Sequence, residues 1–135
     1  MKKLVFLFML IFTISSCSVD GEPQSEFVVL PVESVIMPST YAVDSISEIT
    51  VKYTRPTDCY IFNGFYYDIN ANTRTVAINA VKLDQNNCQD DSGNLFEVPL
   101  SFKPTTDGIY VFKFWTGTDT SGVDQYLTYE IEVLP

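Results

Sequence analysis

The chain has 135 residues, 17 acidic against 8 basic, a net charge of −9 and no histidine. Without histidine, Ser-His-Asp and Cys-His catalysis and most zinc sites are excluded. The acidic balance repels nucleic acid, which calls for a basic patch. The sequence therefore describes an address and an architecture, and it names no specific activity.

Met1-Lys2-Lys3 is a short basic start, followed by an apolar run over residues 4–14 and the small residues Ser15-Ser16 before Cys17. That order is a secretory signal over residues 1–16, too short for a membrane span, which needs about 20 apolar residues. Loss of Lys2 and Lys3 with the signal leaves 6 basic against 17 acidic residues, a net charge of −11. Residues 17–26 are polar, contain Pro23 and read as a tether. Residues 27–135 make up a stretch of single-domain length.

Residues 27–37 form an apolar stretch interrupted by Pro31 and closed by Pro38, which predicts an edge strand split in two because proline donates no ladder bond. Residues 46–54 alternate, with Ile49, Val51 and Tyr53 facing inward. Residues 59–69 are an aromatic strand with a bulge or kink at Asn63-Gly64, and Asn70-Ala71-Asn72 turns it into a return strand over residues 73–83. After a polar loop holding Cys88, residues 95–103 place Phe96, Val98, Leu100 and Phe102 on one face.

Asp107-Gly108 then opens the stretch that organises the rest. Tyr110, Phe112 and Phe114 point to one side, and Ile109, Val111 and Trp115 to the other. A strand apolar on both sides belongs in the middle of a sheet. A Gly/Thr/Ser/Asp loop comes next, and residues 125–134 finish with Leu127, Tyr129, Ile131 and Val133 inward. Seven short strands and no helical periodicity after the signal predict an all-β antiparallel sandwich.

Ile14-Ser15-Ser16-Cys17 resembles the lipobox of bacterial lipoproteins. The resemblance implies cleavage before Cys17, a diacylglyceryl group on its sulfur and an acyl chain on the new N-terminus. Three chains at about 0.8 kcal/mol per buried CH₂ anchor a protein stably to a membrane. Ser18 after the cysteine implies the outer membrane in that family's pattern, and Asp20 and Glu22 loosely resemble the surface-export signal of Bacteroidetes-type lipoproteins. Asp44-Ser45-Ile46 resembles the O-glycosylation sequence of exported proteins of that type. Asp107-Gly108-Ile109-Tyr110 resembles the corner before the sixth strand of immunoglobulin-like domains, where a tyrosine hydroxyl bonds back to the backbone. Asp stands three residues before Tyr110 instead of four, and Phe112 sits where antibody domains have a cysteine.

With Cys17 lipidated, Cys59 and Cys88 remain, and an exported chain in an oxidising compartment is expected to pair them. Two free thiols or a metal pair is the alternative. Pairing requires the loop after residue 83 to fold back, because Cys59 otherwise lies opposite a residue near Asp84.

Chemistry beyond this is sparse. Glu130 and Glu132 share a strand face at a spacing near that of a glycosidase pair, but outward glutamates on a last strand are ordinarily solvent-facing, and no catalytic residue is expected. The loop from Asp84 to Asp91, and Asp119, Ser121 and Asp124 around Gly122, offer oxygens for calcium, yet both compositions are ordinary turn chemistry, so no metal or cofactor is expected.

The aromatics are the better candidates. Alternation requires that either Tyr66 or its neighbours Phe65 and Tyr67 face outward, and Trp115 ends its strand beside a polar loop. Tyr66, Tyr67, Trp115 and Tyr126 are therefore candidate ligand-binding residues for a sugar ring or a peptide, set against simple packing. The expected function is a non-catalytic module at the outer membrane, its partners being the membrane through the anchor and a protein or glycan. A structural or assembly component of the envelope is the alternative.

Overall fold

The computed structural model describes Gly21 and residues 24–135; the signal segment, Cys17 and the residues between it and Gly21 lie outside the described residues. Nine strands are present there, with no helix: β1 (Ser25–Leu30), β2 (Val32–Ile36), β3 (Tyr41–Ala42), β4 (Ser47–Tyr53), β5 (Tyr60–Asn70), β6 (Thr73–Leu83), β7 (Phe96–Phe102), β8 (Gly108–Thr118) and β9 (Asp124–Leu134). They form a sandwich of six and three strands.

Nine strands replace the expected seven for two local reasons. Pro31 divides the first apolar stretch, so that β1 joins β6 in the large sheet while β2 joins β4 in the small one. Tyr41–Ala42 then adds a two-residue strand beside the end of β9.

The expectation of a purely antiparallel sandwich is corrected: β8 runs parallel to β6, and β3 parallel to β9. The β5–β6 hairpin enters the large sheet through its second strand, whose direction is that of β8. The bulged β5 is left at the edge, where a bulge disturbs a single ladder.

The core is built from the faces that alternation predicts. Ile49, Val51 and Tyr53 of β4, with Leu100 and Phe102 of β7, pack on Val76, Ile78, Tyr110, Phe112, Phe114 and Val133 of the large sheet. Phe112 is fully buried, worth about 2–3 kcal/mol for a side chain of that type. The Phe102 ring meets Phe112 edge-on at 4.9 Å and Tyr110 at 5.4 Å, the geometry that the aromatic quadrupole favours. Tyr110 is buried to its hydroxyl, which donates to the Thr106 carbonyl at 3.1 Å and lies 2.9 Å from Thr106 Oγ1. The turn before β8 is stapled in the way the sequence predicts.

Gly64, at φ +84°, opens the bulge of β5. Phe62 pairs with Ala80 and Phe65 with Ile78, so Asn63 and Gly64 together stand opposite one residue. The extra residue shifts the alternation by one. Phe62 and Phe65 both point into the core, their rings 5.5 Å apart, although they are three positions apart. Tyr67 follows them inward, and Tyr66 turns out.

Cys59 and Cys88 form the disulfide, their Cα atoms 5.5 Å apart. The loop doubles back as required. Asp58 and Gln89 exchange hydrogen bonds, Thr57 bridges Asp90, and Arg55 reaches Asp91 Oδ2 at 2.6 Å and the Tyr60 carbonyl at 2.9 Å. The Arg55 guanidinium also lies 4.4 Å from the Phe96 ring centre, tying the loop to β7.

Candidate functional site: an aromatic cleft at a fork in the large sheet

A strand has two edges, and β5 occupies one edge of β6 along almost its whole length. The other edge is shared. β8 pairs with Thr73 to Val76, and β1 pairs with Ile78 to Leu83. Ala77 is the residue at which β6 changes neighbours. Beyond Phe114, β8 leaves β6 and continues with β9 alone, so β1 and the β8–β9 hairpin diverge like the arms of a fork.

On the outer face this fork is a cleft of about 310 Å³ lined by Val29, Tyr66, Thr75, Ala77, Trp115, Asp124 and Tyr126. Its floor is small because Thr75 and Ala77 are the outward residues of β6 at the fork. Ala77 is buried although it faces away from the core, since Tyr66 stands directly opposite it on β5. Trp115 and Tyr126 are cross-strand partners and form the opposite wall.

The walls are held in place by polar contacts. Trp115 Nε1 donates to Asp124 Oδ1 at 2.9 Å. The Lys113 ammonium lies 4.3 Å from the centre of the Tyr126 ring, a cation–π contact. Asp119 Oδ1 accepts the Ser121 and Val123 amides, closing the loop that carries Asp124. In the loop before β7, Asp90 accepts from the amide and hydroxyl of Ser92, and Asp91 accepts from Asn94 and Arg55. Those bonds hold both carboxyls below the ordinary carboxylate range, the Ser92 hydroxyl leading for Asp90 and Asn94 for Asp91. Of the oxygens weighed for calcium, those of Asp90, Asp91 and Asp119 accept hydrogen bonds within their loops, and Asp124 accepts from Trp115.

Of the four aromatic candidates, the structure brings together Tyr66, Trp115 and Tyr126. Tyr67 is not with them: the bulge sends it to the opposite face, packed against the core. Burial raises its hydroxyl pKa, partly offset by the charge and hydrogen bond of Arg74. Sequence reasoning missed Ala77, Thr75 and Val29, which become cleft residues only once the pairing register is known. It weighed Asp124 as a metal ligand, whereas its oxygen orients Trp115.

Glu130 and Glu132 stand exposed on the outer face of β9, opposite Val111 and Ile109 of β8. A second depression, about 360 Å³, runs between residues 37–41 and β9. Tyr41 borders it, with a buried hydroxyl that has no hydrogen-bond partner among the described residues. Burial pushes that hydroxyl up to about 12. Asp58, Cys59 and Cys88 cluster within ligand distance of one another, but the two sulfurs are bonded to each other.

No protein-family model, no curated protein and no solved structure matches this chain.

Proposed function

We propose that this is a non-catalytic binding module of a bacterial envelope, anchored to the outer membrane through lipid on Cys17 and presenting the cleft at Ala77 as its ligand site. The observation that carries the reading is the cleft itself. Three aromatic side chains surround a floor of two small residues, and two of the walls are oriented by Asp124 and Lys113. Pre-oriented aromatic walls lower the ordering cost of binding a sugar ring or an apolar or cationic side chain.

The domain is read as immunoglobulin-like. The order β2-β4-β7 corresponds to strands A, B and E of that fold, and Tyr110 occupies the corner before strand F, here β8, which pairs with β9 as F does with G. The parallel β6–β8 pair is this chain's own departure. The anchor rests on the Ile14-Ser15-Ser16-Cys17 lipobox and the short apolar run before it.

The test of the site is a comparison of wild type with Ala77→Leu on glycan and peptide arrays. Leucine at the floor fills the cleft from the outer face and leaves the inner core untouched, and Tyr126→Ala serves as a second variant. Ligands captured by wild type and lost in both variants support the reading; identical capture by all three proteins overturns it. For the anchor, Cys17→Ala is expected to move the protein from the membrane to the soluble periplasmic fraction. Unchanged membrane association would refute lipidation.

A further inference from the structure

Resting on the reading of the cleft as a binding site, we propose that its occupant is an extended, basic segment of a partner protein, with one arginine or lysine side chain inserted over Ala77. Three features favour it over a sugar. The first is the wall chemistry: Trp115, Tyr66 and Tyr126 offer π faces, and Asp124, itself in the lining, offers a carboxylate, the pairing that holds organic cations.

The second is charge. Among the residues that alternate outward on the large sheet, Asp68, Asp124, Glu130 and Glu132 stand against the single cation Lys113. Asp68 pairs with Thr75 of the floor and rises beside Tyr66, so carboxylates flank the cleft on both sides. The exported chain as a whole carries the same sign, with 17 acidic residues against 6 basic ones after loss of the signal. A partner complementary to this face is positive, and approach is accelerated by the field.

The third is the backbone. Among the described residues β1 pairs with β6 alone, and residues 115–118 of β8 pair with β9 alone, so two strand edges without ladder partners there border the fork. An extended peptide laid into it finds amide and carbonyl groups, which a saccharide does not match in register. Lys113 is the opposing element. It occupies Tyr126 and repels an incoming cation, which gives the inference a variant of opposite sign.

The experiment uses the full exported domain and its single tryptophan, Trp115, as a reporter inside the site. Emission is titrated with a capped Thr-Val-Arg-Val-Thr peptide, the same peptide with citrulline or glutamate at the centre, and cellopentaose. The arginine peptide is expected to give a saturable change that Ala77→Leu abolishes, with citrulline weaker. Asp68→Asn and Asp124→Asn should each weaken it about two- to fivefold, and Lys113→Gln should strengthen it by a similar factor. Asparagine at 124 keeps an acceptor for Trp115, so the loss reports charge. Equal binding of the citrulline or glutamate peptide overturns the cationic assignment. Response to cellopentaose alone, lost in Ala77→Leu, overturns the peptide inference while the cleft stands as a binding site. Silence of every probe also overturns the inference, and the array comparison then decides the cleft separately.

Discussion

Trp115 and Asp124 are joined by a 2.9 Å hydrogen bond that closes the β8–β9 hairpin over the outer face of the sheet. Between them the register slips by one residue: Trp115 pairs with Tyr126, but Gly117 pairs with Gln125. The indole is thus fixed by a side-chain bond at the point where the backbone ladder is irregular. Removing the acceptor with Asp124→Ala should cost about 0.5–1.5 kcal/mol of stability and free the indole. The expected readouts are a lower urea midpoint and easier acrylamide quenching of Trp115. Unchanged quenching would mean that packing alone holds the ring.

The bulge in β5 decides which aromatics face the cleft. Gly64 sits at φ +84°, a left-handed conformation that a side chain resists, and among the described residues nothing beyond its own chain neighbours lies within 4 Å of where its Cβ would stand. The expected penalty of Gly64→Ala is therefore conformational, about 1 kcal/mol, read from chemical denaturation. Deleting Gly64 removes the residue that the bulge absorbs: Asn63 alone would stand opposite Asn79, Phe65 would stay inward and Tyr66 outward, so Trp115 emission should stay as in wild type.

The Cys59–Cys88 bond closes a separation of 29 residues. Replacing both cysteines by serine should lower stability by about 2–4 kcal/mol, chiefly by releasing the unfolded chain. Non-reducing mass measurement with an alkylating reagent should find neither sulfur free. Because Arg55, Thr57 and Asp58 also bind the loop, its fold should survive in the variant at neutral pH, measurable as amide protection near Gln89.

Tyr41 carries a buried hydroxyl without a partner among the described residues, and burial raises its pKa from 10.0 to about 12. A raised folded pKa means that the native state holds the proton more tightly. The stabilisation is complete below pH 10 and is lost as pH rises toward 12. Tyr53 and Tyr67, also raised by burial, act with the same sign. Tyr41→Phe should raise stability at neutral pH by about 1 kcal/mol, since it removes an unpaired buried polar group. It should also flatten the alkaline loss, seen as a smaller drop in melting temperature between pH 9 and pH 11.

Much of this architecture was legible from residue alternation. Ile49, Val51, Tyr53, Leu100, Phe102, Tyr110, Phe112 and Phe114 are core residues, and a period of two states as much directly. The division at Pro31, the bulge at Asn63-Gly64 and the Tyr110 staple arise from proline, glycine and tyrosine chemistry that is local to the chain. The partner of each strand is not local. Nothing in residues 73–83 says that one edge serves two strands, so the fork at Ala77 and the parallel β6–β8 pair were invisible. The cleft was half visible for the same reason. Its aromatic walls announce themselves, whereas its floor is an alanine and a threonine whose meaning depends on a neighbour more than 30 residues away.

The passage of the chain through Pro31 has a mechanical consequence. A pull applied at the N-terminal end of the described chain acts along β1, perpendicular to the bonds that join it to β6, and continues through β2 into the other sheet. Tension is therefore borne by six residue pairs in shear, not peeled from one pair at a time. In the proposed anchored state, the strand that first meets such a load is β1.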